Sequence, residues 1–121
     1  MAAPNLVSVS SIYGKTKGAA LGTSSADILT CAADKVYKIN SIIISNIDGT
    51  NNADVTVTFY DSSATSNYHL ASTVTVPADS TLIVLGKDAP IYLEEAHSIR
   101  AGASAASDLE IVISYEELDD A

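Results

Sequence analysis

The chain has 121 residues, 47% of them apolar, which is enough for a single domain with its own core. Its net charge of −9, from 15 acidic and 6 basic residues, excludes the positive surface that binding to nucleic-acid phosphates or to an anionic membrane requires. We therefore expect no nucleic-acid partner and no membrane partner.

The apolar residues are of kinds that favour sheets over helices. There is no tryptophan, one phenylalanine and one methionine, so branched aliphatic residues and alanine must form the core. Cys31 is the single cysteine, which excludes an intrachain disulfide. No signal-like segment opens the chain, and no run approaches the ~20 apolar residues of a membrane helix. We expect the chain to be made and folded in a cytoplasm.

The first eleven residues are small and polar apart from Leu6, Val7 and Val9. They predict either an N-terminal arm that reaches a neighbouring molecule or a frayed terminus, and the two interpretations are balanced. If the protein has an interface, these three side chains are the first candidates, because their exposure is hard to justify in a monomer. Residues 12–21, which include Tyr13, predict a bent strand or a loop.

Residues 36–61 are the segment around which we expect the fold to be organised. Apolar side chains occupy both faces of residues 36–47, which predicts a central strand covered on both sides. These side chains are Ile42 and Ile44 on one face and Ile39 and Ile43 on the other. Residues 55–60 alternate cleanly between apolar and polar, and the DGTNN link between the two runs favours a turn, so the pair is predicted to form a β-hairpin.

The rest of the chain alternates between short strands and polar turns every 8–12 residues or so. Further strands are predicted at residues 26–31, 68–76, 80–85, 91–93, 98–103 and 109–116. This pattern predicts an all-β domain of about eight short strands, a sandwich or barrel, over residues 12–116. Residues 117–121 are predicted to form a loose acidic tail.

Two clusters of polar residues resemble metal sites, and each has a simpler explanation. His97 follows Glu94 and Glu95, but zinc sites usually need three or four ligands, and a solvated acidic corner is the favoured interpretation. The loop from Asp48 to Asp54 resembles a calcium loop in composition only. Its spacing fails the EF-hand pattern, so a turn is favoured.

No catalytic constellation is evident. Cys31 could act as a nucleophile if the fold brought His69 or His97 close, but a lone cysteine at a strand end is more often a small apolar residue. Exposed tyrosines could stack on sugar rings or anchor an interface, although packing within the sheets is favoured. The tyrosines considered for these roles are Tyr13, Tyr60 and Tyr68.

Four stretches resemble small β-sandwich virion proteins of tailed bacteriophages, of the capsid cement or decoration type. They are YKINSIIISN at residues 37–46, VPADSTL at 76–82, PIYLEEAHSIRAGASA at 90–105 and LEIVISYEE at 109–117. The resemblance covers most of the chain from about residue 26 onward. One departure is Ala96, where many such sequences have glycine.

This resemblance implies a jelly-roll-like antiparallel sandwich with no catalytic residues and no cofactor. It implies a non-enzymatic structural protein that forms a homo-oligomer, with a trimer favoured, and binds the major capsid protein or other virion proteins. The expected location is the virion, after synthesis in the cytoplasm of a bacterial host. Leu6, Val7, Val9 and Tyr13 are the expected interface residues. Two alternatives stay open: a neck, tail or fibre component, and a carbohydrate- or receptor-binding module.

Overall fold

The structure, a computed structural model, describes Val7 and residues 9–119; Leu6, named above as an interface residue, lies outside them. The described residues form nine β-strands and no helix, so the all-β prediction is confirmed. The strands are β1 (Ser11–Ala20), β2 (Ala26–Thr30), β3 (Lys35–Asn46), β4 (Ala53–Asp61), β5 (Ser66–Val76), β6 (Thr81–Leu85), β7 (Ile91–Leu93), β8 (Ser98–Ala103) and β9 (Leu109–Asp119). Four of them have ten residues or more, so not all are as short as predicted.

The strands form two antiparallel sheets. Sheet I has the order β1-β9-β3-β6, with β7 also paired to β3, and sheet II has the order β2-β8-β4-β5. The pairing is nested, because β1 pairs with β9, β2 with β8, β3 with β6 and β4 with β5. Such a folded ribbon of strands gives a jelly-roll-like sandwich, as the sequence predicted.

The core lies between the two sheets. Aliphatic side chains from six strands are fully buried there, and a tilted pair of rings, Tyr37 and Tyr115, lies in one part of it with their centroids 5.0 Å apart. The largest buried side chains include Ile39, Ile42, Ile44, Val55, Val57, Leu93, Ile99, Ile111 and Ile113. The alternation predicted for β4 and β9 is therefore confirmed, since their apolar positions face this core.

The prediction that Ile39 and Ile43 share one face of β3 is wrong. The pairing of β3 with β9 shifts by one residue between Ile39 and Ser41, so Asn40 is an extra residue in a bulge. The bulge reverses the alternation, and Ile39 then faces the core together with Ile42 and Ile44. Ile43 alone of the four isoleucines faces outward, and it is partly buried. Val36, which precedes the bulge on the outer face, is buried, so β3 is covered on both faces only at its start.

The predicted hairpin of β3 and β4 is also wrong. β3 belongs to sheet I and β4 to sheet II, so the link between them crosses from one sheet to the other. Asn46, which is buried, holds this crossing: its Nδ2 donates to the carbonyl oxygens of Asn51 (3.0 Å) and Val76 (2.9 Å), and its Oδ1 accepts the Asp48 N–H. Turn-forming residues between two alternating runs fit an arch between sheets as well as a hairpin within one.

The two ends of the predicted domain are both strands of sheet I. Ser11–Ala20 is a regular strand, β1, paired with β9 along its full length. β9 continues to Asp119, three residues beyond the predicted end at Glu116, so residues 117–119 are not a loose tail. Glu117 is in fact buried, because its side chain lies on the core-facing side of β9.

Candidate assembly surface

The outer face of sheet I carries a row of apolar side chains. The register places Val112 of β9 beside Ile43 of β3, and Ile43 beside Ile83 of β6. Val112 is 40% exposed and Ile83 66% exposed. On the other side of Val112 the register places Gly18, which has no side chain to cover it. We call Val112, Ile43 and Ile83 the apolar row.

The positions on both sides of the apolar row are polar. One neighbouring row joins the small, uncharged residues Thr16, Ser114 and Ser41. The other row contains the exposed Glu110 beside Ser45 and Thr81, whose hydroxyl oxygens are 3.5 Å apart. The small side chains leave that part of the face flat, and Glu110 places a charge beside the apolar row. The composition of protein interfaces, with few charges at the centre and polar groups at the rim, fits this arrangement.

The edge of sheet I formed by β1 is less suited to self-association. Among the described residues no strand pairs with the second edge of β1. Two copies could pair antiparallel along the whole of β1, with the core-facing sides of the two sheets on the same side. In that arrangement Lys15 would lie opposite Lys15 or Lys17 of the second copy. Like charges directly opposite each other destabilise a strand pair, and lysines on an edge strand commonly prevent such pairing.

The predicted interface residues lie at the start of β1 or before it. Val7 is 94% exposed, Val9 is partly buried, and Tyr13 of β1 is 49% exposed. Ile12, which the sequence did not single out, is exposed on the outer face in register with Leu118. Tyr13 is in register with Glu117, so its side chain lies on the opposite side of β1 from Ile12. Whether the predicted residues contact another molecule stays a prediction.

A buried carboxylate stabilises the same end of the sandwich. Glu117 accepts hydrogen bonds from Lys15 Nζ (3.1 Å) and Lys35 Nζ (3.0 Å). Burial raises the pKa of Glu117, but the hydrogen bonds and charges of the two lysines outweigh it and hold that pKa below its ordinary value. The cluster joins β1, β9 and the start of β3, so it holds these three strands together near the end of the sandwich where β9 ends.

The fold does not bring the candidate catalytic and metal-binding residues together into one site. The Cys31 thiol donates to the Lys35 carbonyl oxygen at 3.2 Å, and burial raises its pKa to about 11. His69 is exposed on β5. His97 is buried rather than in a solvated corner, with its Nε2 3.4 Å from Asp61 and its ring against Phe59. The described residues contain no group of three His, Cys, Asp or Glu side chains placed to hold a metal ion.

The loop considered for calcium is a turn held by its own carboxylate. Asp48 Oδ1 accepts the N–H groups of Thr50 (2.8 Å) and Asn51 (3.2 Å). These backbone hydrogen bonds lower the pKa of Asp48. In the described part of the chain no helix is both long enough and apolar enough to cross a membrane.

The sequence did not identify the apolar row. Val112 and Ile43 occupy the solvent-facing positions of strands whose other face is buried, and that mismatch is the only signal they give. Ile83 stands in the apolar run LIVL, where periodicity does not show which residues face outward.

No protein-family model matches the chain, and no curated protein matches it. Solved structures do. A chain from Bacillus endospore appendages, which form a novel family of disulfide-linked pili, aligns with a TM-score of 0.53 at 15% identity and covers 90% of this chain and 88% of that one. A chain of the acidic stable capsid of Helicobacter pylori bacteriophage KHP30 aligns with a TM-score of 0.54 at 9% identity, covering 93% and 91%.

A pentameric capsid protein from metagenomic phage sequences is more distant, with a TM-score of 0.43, 15% identity and coverage of 98% and 68%. At these identities the first two likenesses show that the chain shares the sandwich fold of a pilus protein and of a phage capsid chain. Cys31 is the only cysteine and is buried, so it is poorly placed for the intermolecular disulfide of such pili.

Proposed function

We propose that the protein is a non-enzymatic structural component of a phage virion, a cement or decoration protein that binds between capsid subunits as a homo-oligomer. A trimer is the closed ring we favour. The observation that carries the proposal is the apolar row, three uncharged side chains with polar neighbours on the outer face of one sheet. The fold likeness to a phage capsid chain and the sequence resemblance to virion proteins support the same role.

The occupant we propose for the apolar row is a second copy of this chain. Ile83 is 66% exposed and Val112 40% exposed in the isolated protein, so covering them gains part of the ~1.5–3 kcal/mol that full burial of such a side chain is worth. The face is large enough to contribute to a contact of roughly 800 Å² per partner, the size of a standard interface. The lysines of β1 disfavour the competing arrangement, in which copies pair edge to edge.

The N-terminal arm is proposed to make a second contact, with the neighbouring capsid subunit. Its apolar residues Leu6, Val7 and Val9 precede β1 at the end of the sandwich that the Glu117 cluster fixes. An arm that starts from a rigid point can bridge subunits without loss of the fold. Removing residues 1–9 is expected to weaken attachment to the shell and to leave the thermal unfolding temperature nearly unchanged; a truncated chain that attaches normally would exclude this contact.

The decisive experiment determines where the protein goes in infected cells. Particles released by the host are purified on a density gradient, and copies of this chain per particle are counted by mass spectrometry. We expect a fixed number, comparable with that of the major capsid protein. A few copies per particle would support a neck, tail or fibre component instead, and absence from particles would refute the virion role.

A matched pair of variants tests whether the presence of the protein in particles depends on the apolar row. Ile83→Asp places a charge in the apolar row, whereas Ile47→Asp places the same charge at a side chain 55% exposed in the β3–β4 link, off that row. We expect the first variant to be lost from particles and the second to be retained. Equal retention of both would show that incorporation into particles does not depend on assembly through the apolar row.

A further inference from the structure

The outer face of sheet II holds a polar network centred on Arg100. Its Nε donates to Asp27 Oδ1 at 2.6 Å and its Nη1 to Asn67 Oδ1 at 3.4 Å. The guanidinium carbon lies 3.7 Å from the centroid of the Tyr60 ring. An ion pair, a hydrogen bond and a cation–π contact together fix the plane of this side chain.

The network retains unused hydrogen-bonding capacity. A guanidinium has five N–H groups, and only two of those of Arg100 have partners in the described chain. Ser98 and Arg100 both donate to Oδ1 of Asp27, which leaves Oδ2 as a free acceptor within the same part of the chain. A fixed donor thus stands beside a fixed acceptor. This combination matches a hydroxyl group, which can donate and accept at once.

A cavity of about 280 Å³ opens on the same face, one row further along. In register, Arg100 pairs with Thr58, and Gly102 with Thr56, so the cavity begins two residues, about 7 Å, from the Arg100 network. Its lining combines hydroxyl groups with one carboxylate, from Thr23, Ser25, Thr56, Thr73, Ser104 and Asp54. Hydroxyls predominate, and the described residues of the lining include no cation.

Two backbone features shape this cavity. A Cβ on Gly102 would lie 3.1 Å from the backbone of Ser24 and Ser25. Glycine therefore allows the turn that contains Ser24 and Ser25, between β1 and β2, to lie against β8 and form one wall of the cavity. On the opposite wall Thr73 has φ 50°, a left-handed conformation that is unfavourable for a β-branched residue, and its N–H donates to Thr56 Oγ1 at 3.0 Å. Strained residues of this kind are concentrated at binding sites.

We propose that the outer face of sheet II binds a neutral polysaccharide, one sugar residue in the cavity and the next over the Arg100 network. The hydroxyl-rich lining and the paired donor and acceptor suit the hydroxyl groups of sugars. Asp27, Asp54 and the net charge of −9 disfavour uronic or sialic acids. This surface is the reverse of the one proposed for assembly, so the two roles are independent.

The test is affinity electrophoresis in native gels that contain dextran, mannan or galactan, with alginate and polygalacturonate as acidic counterparts. We expect retardation in at least one neutral gel and none in the acidic gels. Unchanged migration in every gel, or retardation by acidic polysaccharides only, would overturn the proposal.

Variants assign any retardation to this face. Arg100→Ala is expected to weaken binding at least tenfold, and Lys38→Ala, which removes the same charge from the opposite face, is expected to bind like the original protein. If Arg100→Ala does not fold, Arg100→Lys and Thr23→Val take its place, since the first keeps the charge without the planar fork and the second removes one exposed hydroxyl from the cavity. Variants of this face that bind as tightly as Lys38→Ala would overturn the proposal.

Discussion

Glu117 is a buried carboxylate whose environment was not evident from the sequence. The run EELDD around Glu117 suggests a solvated tail. However, β9 includes Glu117, and the alternation of the strand directs its side chain toward the core. Two lysines from distant parts of the chain neutralise it there. Alternation could have predicted the burial, but not the partners, because β1 and β3 come beside β9 only through the topology of the sheet.

Glu117→Gln keeps the shape of the side chain and removes its charge. We expect the free energy of unfolding at pH 7 to fall by about 1–2 kcal/mol, since the two lysines remain partly solvated and recover some of the loss in water. Urea denaturation of both proteins measures the difference. A change of less than a few tenths of a kcal/mol would show that the cluster contributes nothing.

The stability that Glu117 contributes should depend on pH, and the direction of its pKa shift gives the sign. The pKa of Glu117 is lowered in the folded protein, so its contribution to stability is present above the unfolded pKa, near 4.5, and is lost as the pH falls through the folded pKa. The difference in stability between the original protein and Glu117→Gln should therefore be full at pH 7 and shrink below pH 4.5. A difference that stays constant down to pH 3 would contradict the assignment.

Cys31 was interpreted from the sequence as a small apolar residue, and its burial agrees with that. Because burial raises its pKa to about 11, very little thiolate exists at neutral pH. We expect iodoacetamide to leave the native protein unmodified over hours and to alkylate one thiol per chain after denaturation, as seen by mass spectrometry. Rapid alkylation of the native protein would show that this end of the sandwich opens.

At the scale of the strand, the extra residue of β3 determines which side chains form the core. Periodicity located the strand almost to the residue but assigned Ile39 to the wrong face, because a bulge cannot be recognised from alternation alone. The partner of β4 was likewise missed, since the same turn residues suit an arch and a hairpin. The local pattern of residues thus predicts where the strands are. It does not predict which strands pair, because pairing depends on contacts between residues that are distant in sequence.

Deletion of Asn40 tests the role of the bulge. Without the extra residue, Ile42 and Ile44 would be directed to solvent or the register with β9 would have to slip. We expect loss of the cooperative thermal transition. Deletion of Lys87, in the β6–β7 turn, serves as the control and should lower the melting temperature only slightly. A cooperative transition in the Asn40 deletion would mean that β3 can lose the bulge and keep its core.

The contact between β8 and the turn at Ser24 and Ser25 can be tested by a substitution at Gly102. Gly102→Ala places a methyl group against the backbone of Ser24 and Ser25, so the turn must move by a few tenths of an ångström. We expect a destabilisation of about 1 kcal/mol in chemical denaturation. Gly14→Ala in β1, where the added methyl meets nothing within 4 Å, should be neutral or slightly stabilising. Equal effects at both positions would show that this contact is unimportant.

At the scale of the molecule, the two outer faces of the sandwich differ in chemistry. Sheet I presents the apolar row between polar side chains, and sheet II presents the Arg100 network and a hydroxyl-lined cavity. The class of fold could be predicted from the sequence, and the virion role that the resemblance implies stays a proposal. The sequence did not identify either surface, because each is assembled from single residues on strands that are distant in the chain.

Light scattering over a range of concentrations gives the mass of the protein in solution, and therefore shows whether copies of the chain associate through the apolar row. We expect a closed oligomer, with a trimer favoured, that dissociates to monomers in Ile83→Asp and persists in Ile47→Asp. An original protein that stays monomeric at every concentration, or an oligomer that Ile83→Asp leaves intact, would contradict the assignment of the apolar row as the assembly surface.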